Sequence, residues 1–266
     1  MDLILEPGRA EKNYWRDLWR YRELFIILAW RDISVRYKQT VIGVAWAVVR
    51  PLLTTLVFTV VFSKIGNVKP PPGVPFALFV MAANLPWQFF ATAMSEASNS
   101  LIGNANLISK IYFPRLIIPA GSVITSFVDF LITLGLMGLM MAGYRFAPGW
   151  PLLALPLFMV LAFGAAFGIG LWLCALNVEY RDFRYIVPFI VQFGLIASVL
   201  IPGKGHLLYS LNPIVGIIDG FRWCILGGEN VIYWPAFVVS VVGVTFMVIT
   251  GLWYFRKTER ILADII

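Results

Sequence analysis

The chain has 266 residues, a formal net charge of +7 and one histidine; 60% of it is hydrophobic and 13% charged. Soluble domains carry about 25% charged residues, so this composition and a mean hydropathy of +0.82 exclude an ordinary soluble fold. The lone His206 leaves no material for a histidine metal site or a Ser-His-Asp triad, and Cys174 and Cys224 offer neither metal spacing nor a disulfide framework.

Residues 1–40 precede the first apolar stretch of membrane length and are expected to form a cytoplasmic segment. The opening MDLILEPGRAEKNYWRDLW has no basic region leading into an apolar one, so no cleavable signal peptide is expected. Trp15, Leu18 and Trp19 share one helical face with Arg16 and Arg20 turned away, and Leu24, Ile27 and Leu28 repeat the spacing. A basic helix with Trp on its apolar side lies at the headgroup level, which predicts an N-terminal amphipathic interfacial helix.

Six segments approach the roughly 20 residues that cross a bilayer: 41–63, 76–95, 116–143, 150–177, 185–201 and 231–255. Turn signals lie between them in NVKPPPGVP, APGWP and IPGKG. The stretch 206–228 is long enough to cross but holds Asn212, Pro213, Asp219 and Arg222. A charge at mid-membrane costs about 2.5–3.5 kcal/mol, so this stretch reads as outer re-entrant helices shielded by protein. With six spans, fifteen Lys and Arg fall on the side of the termini, five on the other, and Arg50 within a span. The positive-inside rule then sets both termini in the cytoplasm. The predicted fold is an all-α membrane protein: six transmembrane helices within 41–255, the interfacial helix before them, re-entrant helices between spans five and six, and a cytoplasmic tail over 256–266.

The charge excess therefore reports sidedness, and no nucleic-acid partner is expected. Gly203-Lys204-Gly205-His206 is the only Gly-Lys pair and lacks both the upstream glycine and the hydroxyl of a phosphate-binding loop. The chain is expected to hold no cofactor and no engine of its own. Asp129 is the one carboxylate well inside a predicted span, and Arg50 is the matching base. Two readings stand for them: a pair with each other across the bundle, or a contact from Arg50 to an anionic substrate. Gly164 and Gly168, like Ala166 and Gly170, stand four apart and suit close helix packing.

The segment NLISKIYFPRLIIP interrupts two very apolar stretches with a basic, aromatic, proline-broken patch. NVEYRDFRYIVP does the same on the same predicted side. Aromatic and arginine side chains gathered in small patches have the character of docking anchors, and sidedness alone does not account for Tyr112-Phe113-Pro114. NLISKIYFPRLIIP resembles the first cytoplasmic loop of the permease subunits of type-2 ATP-binding-cassette exporters, which carry lipid-linked O-antigen, capsule and teichoic acid. IGVAWAVVRPLLTTLVFTVVFSKI resembles their first span, NVEYRDFRYIVPFIVQ their second cytoplasmic loop, LNPIVGIIDGFRWCILG their outer re-entrant region and FRKTERILADII their tail. The likeness runs in order over nearly the whole chain after Tyr21. It does not make Arg50 a family-wide ligand, because the position before Pro51 varies in the family.

The resemblance implies a homodimer with two copies of a separate ATPase subunit that binds ATP and Mg, in a bacterial inner membrane. It implies an undecaprenyl-type lipid-linked polysaccharide as cargo, besides membrane lipid. Asn106, Lys110, Tyr112, Phe113, Arg115, Tyr180, Arg181, Asp182 and Arg184 would then couple to the ATPase. Sugars present apolar C–H faces and a rim of hydroxyls, so Trp46, Arg50, Phe58, Phe62, Trp87, Phe89 and Phe90 are expected along the substrate channel, although membrane interfaces also collect Trp and Tyr. Arg31, Arg36 and Lys38 are expected to meet the lipid pyrophosphate. Two other functions stay open. One is a membrane enzyme acting on lipid-linked sugars, for which Lys204, His206, Asp219, Arg222 and Glu229 are the outer ionisable candidates for a catalytic constellation. The other is an exporter of the same fold carrying a drug or small lipid.

Overall fold

The computed structural model describes residues 14–38, 43–64, 70–180, 182–195, 212–227 and 233–265, and every element among them is helical. Expectations for Arg181, Lys204, His206 and Glu229 lie outside the described residues. Helices α1 (Tyr14–Arg20) and α2 (Arg22–Lys38) run on as one rod. The Tyr21 N–H donates to the Asp17 carbonyl at 2.9 Å and the Phe25 N–H to the Tyr21 carbonyl at 3.0 Å, so the helical ladder passes through the junction. Tyr14, Leu18, Tyr21, Leu24, Phe25 and Leu28 turn inward on a core cluster, whereas Trp15, Trp19, Ile26, Ile27 and Trp30 are exposed. The predicted single apolar face is therefore split. Positions 14, 18, 21, 25 and 28 keep helical spacing and bind the rod to the bundle, which leaves the tryptophans on a second, outward stripe.

Helix α3 (Gly43–Lys64) carries Pro51 in its interior and leaves most of its side chains exposed. Helix α4 (Phe76–Gly103) is the axis of the fold, with most of its side chains buried. It extends two turns beyond the predicted end at residue 95 because the apolar spacing continues through Ala97 and Leu101, both buried. The Asn104 N–H closes it onto the Ser100 and Leu101 carbonyls at 3.2 Å. A short α5 (Ala105–Ile108) follows, and Pro114 separates it from α6 (Ile117–Gly143). Pro119 sits in the first turn of α6, where a missing N–H costs nothing. A 3₁₀ turn over Trp150–Ala154 leads into α7 (Leu155–Glu179).

Helix α8 (Phe183–Leu195) has 13 residues, which span about 20 Å and fall short of the roughly 30 Å hydrocarbon core. The rest of the predicted fifth span, 196–201, lies outside the described residues. Helix α9 (Pro213–Leu226) begins on Asn212, whose side chain accepts the Ile214 N–H at 3.2 Å, and stops at Gly227, where φ is +81°. Almost every side chain of α9 is buried. Its two charges, Asp219 and Arg222, lie 3.8 Å apart, and the Arg222 guanidinium rests 4.7 Å from the centre of the Phe79 ring. The chain ends in α10 (Trp234–Ile265), which packs along α7 backbone to backbone. A Cβ at Gly168 would come within 2.8 Å of the Met247 carbonyl carbon and the Val248 nitrogen, and one at Gly251 within 2.5 Å of the Gly168 carbonyl oxygen. The glycines read as packing residues do pack here.

Among the described residues five helices are long and apolar enough to cross a membrane: Ala45–Ser63, Phe76–Gly103, Ile117–Gly143, Trp150–Glu179 and Trp234–Glu259. They enclose two cores. One centres on α4, α7 and α9 around Phe158 and Phe221. The other, around Phe113, Leu171 and Phe255, sits where the loop before α6 meets α2, α7 and α10.

Candidate functional site

Three helical faces converge on a cavity of about 650 Å³. Helix α3 contributes Trp46, Arg50, Thr54 and Phe58, each one turn from the next. Helix α4 contributes Asn84, Gln88, Thr92 and Glu96 at the same spacing, flanked by Trp87 and Phe89. From α6 come Ser126, Asp129, Phe130 and Thr133; Arg36 and Tyr37 of α2 and Gln192 of α8 complete the wall. The lining mixes flat aromatic faces with amides and hydroxyls. Its two arginines and two carboxylates balance in formal charge.

A charged clasp sits in this wall. Arg36 forks to Asp129 through Nη1 and to Glu96 through Nη2. The Tyr37 hydroxyl donates to the other Asp129 oxygen, and the Ser126 hydroxyl donates to Glu96 at 2.6 Å. The three charged side chains are only 30–31% exposed. Burial works against the Arg36 charge, but Glu96 and Asp129 outweigh it and raise the pKa, so the guanidinium stays protonated. Burial first, then the hydrogen bond and charge of Asp129, push the Tyr37 hydroxyl above its ordinary range. Tyr37 is thus a donor at any neutral pH.

Of the residues expected along a channel, Trp46, Arg50, Phe58, Trp87 and Phe89 line this cavity. Phe62 lies one turn further on, stacked on Phe58 with ring centres 5.3 Å apart. Phe90 faces the core, 3% exposed and tilted against the Trp87 ring at 5.6 Å. Trp87 itself is backed by Gly194 of α8, where a Cβ would meet the ring at 2.3 Å. Arg50 and Asp129 share the cavity but do not pair: Asp129 belongs to Arg36 and Tyr37. Among the described residues Arg50 makes no side-chain hydrogen bond or ion pair. The Asn84 side-chain oxygen is likewise buried without a partner.

The three basic residues expected at a pyrophosphate are dispersed. Arg36 reaches the cavity but is engaged by two carboxylates. Arg31 pairs with Asp32 at 2.7 Å and donates to the Asn104 side chain at 3.1 Å, and Lys38 is exposed away from the lining. Sequence reasoning missed the clasp because it ended the second span at residue 95. Glu96 was thereby left in a linker, while the apolar spacing through Ala97 and Leu101 signalled a longer helix.

The residues expected to couple separate into exposed and rooted ones. In the loop between α5 and α6, Lys110, Ile111 and Tyr112 are exposed, Tyr112 by 57%. Phe113 is 4% exposed and inserted in the second core. The Arg115 N–H donates to a Glu259 carboxylate oxygen and its guanidinium to the Glu259 carbonyl, both at 2.9 Å. Asn106, Tyr180, Asp182 and Arg184 are exposed. No cluster of three His, Cys, Asp or Glu side chains that could hold a metal occurs among the described residues.

The described helices form an all-helical membrane bundle around a polar, aromatic-walled cavity. The family described as ABC-2 type transporter matches residues 23–226, from α2 through the last residue of α9, and the chain belongs to that family. It is similar to two proteins of Klebsiella pneumoniae named O-antigen export system permease protein RfbA. One is 28% identical over 235 residues, covering 83% of this chain and 89% of the relative; the other is 27% identical over 237 residues, covering 84% and 90%. A protein of the same name from Myxococcus xanthus is 27% identical over 215 residues, covering 78% and 82%.

Proposed function

We propose that this chain is the transmembrane subunit of an ATP-driven exporter that carries lipid-linked, O-antigen-like polysaccharide across a bacterial inner membrane. Similarity to O-antigen export permeases over most of its length carries the reading, and the cavity supplies its chemistry. Trp46 and Phe58 offer flat faces to the C–H surfaces of sugars, backed by the buried Trp87 and Phe89, while Gln88, Thr92 and Gln192 offer hydrogen bonds to hydroxyls. A charge-balanced lining lets a neutral polymer slide. Arg50 is the group in this wall suited to a lipid diphosphate, with the nearby interfacial helix as its access route. Phe62 extends the aromatic track.

Helix α8 belongs to the fifth of six spans, and α9 to the outer re-entrant region, where protein shields Asp219 and Arg222. This arrangement sets both termini in the cytoplasm, with residues 1–40 as interfacial segment, 41–255 as membrane domain and 256–266 as tail. Two copies of the chain pair with two ATPase subunits, which hold the ATP and Mg. The exposed loop around Lys110–Tyr112 and the segment Tyr180–Arg184 dock on those subunits. Deleting the chain in its host should strip long polysaccharide from the cell surface and trap lipid-linked polymer in the inner leaflet. Normal surface polysaccharide in the deletion strain would overturn the reading.

A further inference from the structure

The loop between α5 and α6 is fastened to the far end of the chain. Phe113 roots it in a core that includes Leu28 of α2, Leu171 of α7 and Phe255 of α10. Glu259 of α10 then grips Arg115 twice, its carboxylate accepting the main-chain N–H and its carbonyl accepting the guanidinium, both at 2.9 Å. The buried Tyr14 hydroxyl sits beside the same carboxylate, and the Arg256 guanidinium covers the Tyr14 ring at 4.7 Å. Burial, followed by the Glu259 charge, pushes the Tyr14 hydroxyl well above its ordinary range, so it stays neutral. The first helix, the loop and the last helix therefore meet at one acidic side chain. A loop that only filled space would need no such clasp at its base, and the exposed Lys110–Tyr112 tip stands directly beyond it.

We infer that Glu259 is a positioning residue of the transport cycle, which makes the α5–α6 loop and α10 move as one body. The inference rests on the proposed ATPase partner and names the route by which that partner's motion enters the bundle. Force applied at Tyr112 reaches α10 through Arg115 and Glu259. It then passes to α7 where Gly168 and Gly251 bring the two backbones into direct contact. A charge-assisted hydrogen bond to a main-chain N–H fixes distance and direction better than apolar packing, which slides.

The test compares Glu259→Ala and Glu259→Gln with the wild type, each reconstituted with its ATPase and the host's lipid-linked polysaccharide. The readout is polymer exported per ATP hydrolysed by the purified permease–ATPase complex, so that unassembled ATPase does not enter the ratio. Glutamine keeps an acceptor for the Arg115 N–H and should hold the ratio within about twofold, whereas alanine should lower it at least tenfold while hydrolysis continues. In the double variant with Tyr112→Ala, the loss should be no greater than that of either single change, as expected for two residues on one path. If Glu259→Ala exports at the wild-type ratio, or loses export and hydrolysis in proportion, the residue is structural only and the inference fails. A wild-type complex that neither binds an ATPase nor exports defeats the exporter reading instead.

Discussion

Removing Arg36 isolates two carboxylates on one wall. Arg36→Ala leaves Glu96 and Asp129 on one wall, with Tyr37 and Ser126 still bonded to them and no cation bridging them. Breaking a fully buried pair from one side costs about 3–5 kcal/mol, whereas an exposed pair contributes about 0–1 kcal/mol. These side chains are 30–31% exposed, so the cost lies between those limits, about 2–3 kcal/mol. Arg36→Lys keeps the charge but not the fork, since an ammonium is a point donor, and should lose about half as much. Adding Glu96→Gln and Asp129→Asn to Arg36→Ala removes the repulsion and should recover more than half of the loss. Denaturant unfolding of the purified protein in detergent reads all three variants against the wild type. An Arg36→Ala variant within about 0.5 kcal/mol of wild type, or a triple variant no better than the single one, would refute the clasp as a stabilising element.

Phe113→Ala should cost about 3–5 kcal/mol in the same unfolding assay, because it empties a core position. Tyr112→Ala, on an exposed side chain, should stay within about 0.5 kcal/mol of wild type yet lower export per ATP. Gly220→Ala directs its Cβ to within 1.9 Å of the Phe158 ring and should destabilise by about 1–3 kcal/mol. Phe158→Leu in that background should restore part of the loss, which unfolding again measures. Arg50→Gln should leave stability within about 0.5 kcal/mol, since the side chain holds no partner among the described residues. It should lower export roughly tenfold or more, as loss of one charge-assisted contact of about 1.5–3 kcal/mol implies; unchanged export would remove Arg50 from the substrate path.

Membrane character was legible from composition alone, and the helical spacing of Trp46, Arg50 and Phe58 already aligned one cavity wall. The partners of those residues were not legible. Arg36 meets Asp129 across 93 positions and Glu96 across 60, and spacing along one helix says nothing about which helix faces it. Local pattern also misled at three places. The loop aromatics Tyr112 and Phe113 looked alike in sequence, yet consecutive side chains diverge, so that one is exposed and the other fills a core. Trp15 and Leu18 shared an apolar face by periodicity, but a helix with apolar surroundings on more than one side has no single buried stripe. Glu96 was hidden by an early helix end, which Ala97 and Leu101 could have corrected.

ATP-dependent movement of lipid-linked polysaccharide in vesicles holding this chain, measured with and without its ATPase, tests the central claim most directly. The account predicts transport only when both subunits are present and nucleotide is hydrolysed. Transport by the chain alone, or glycosyl transfer in place of transport, would contradict it.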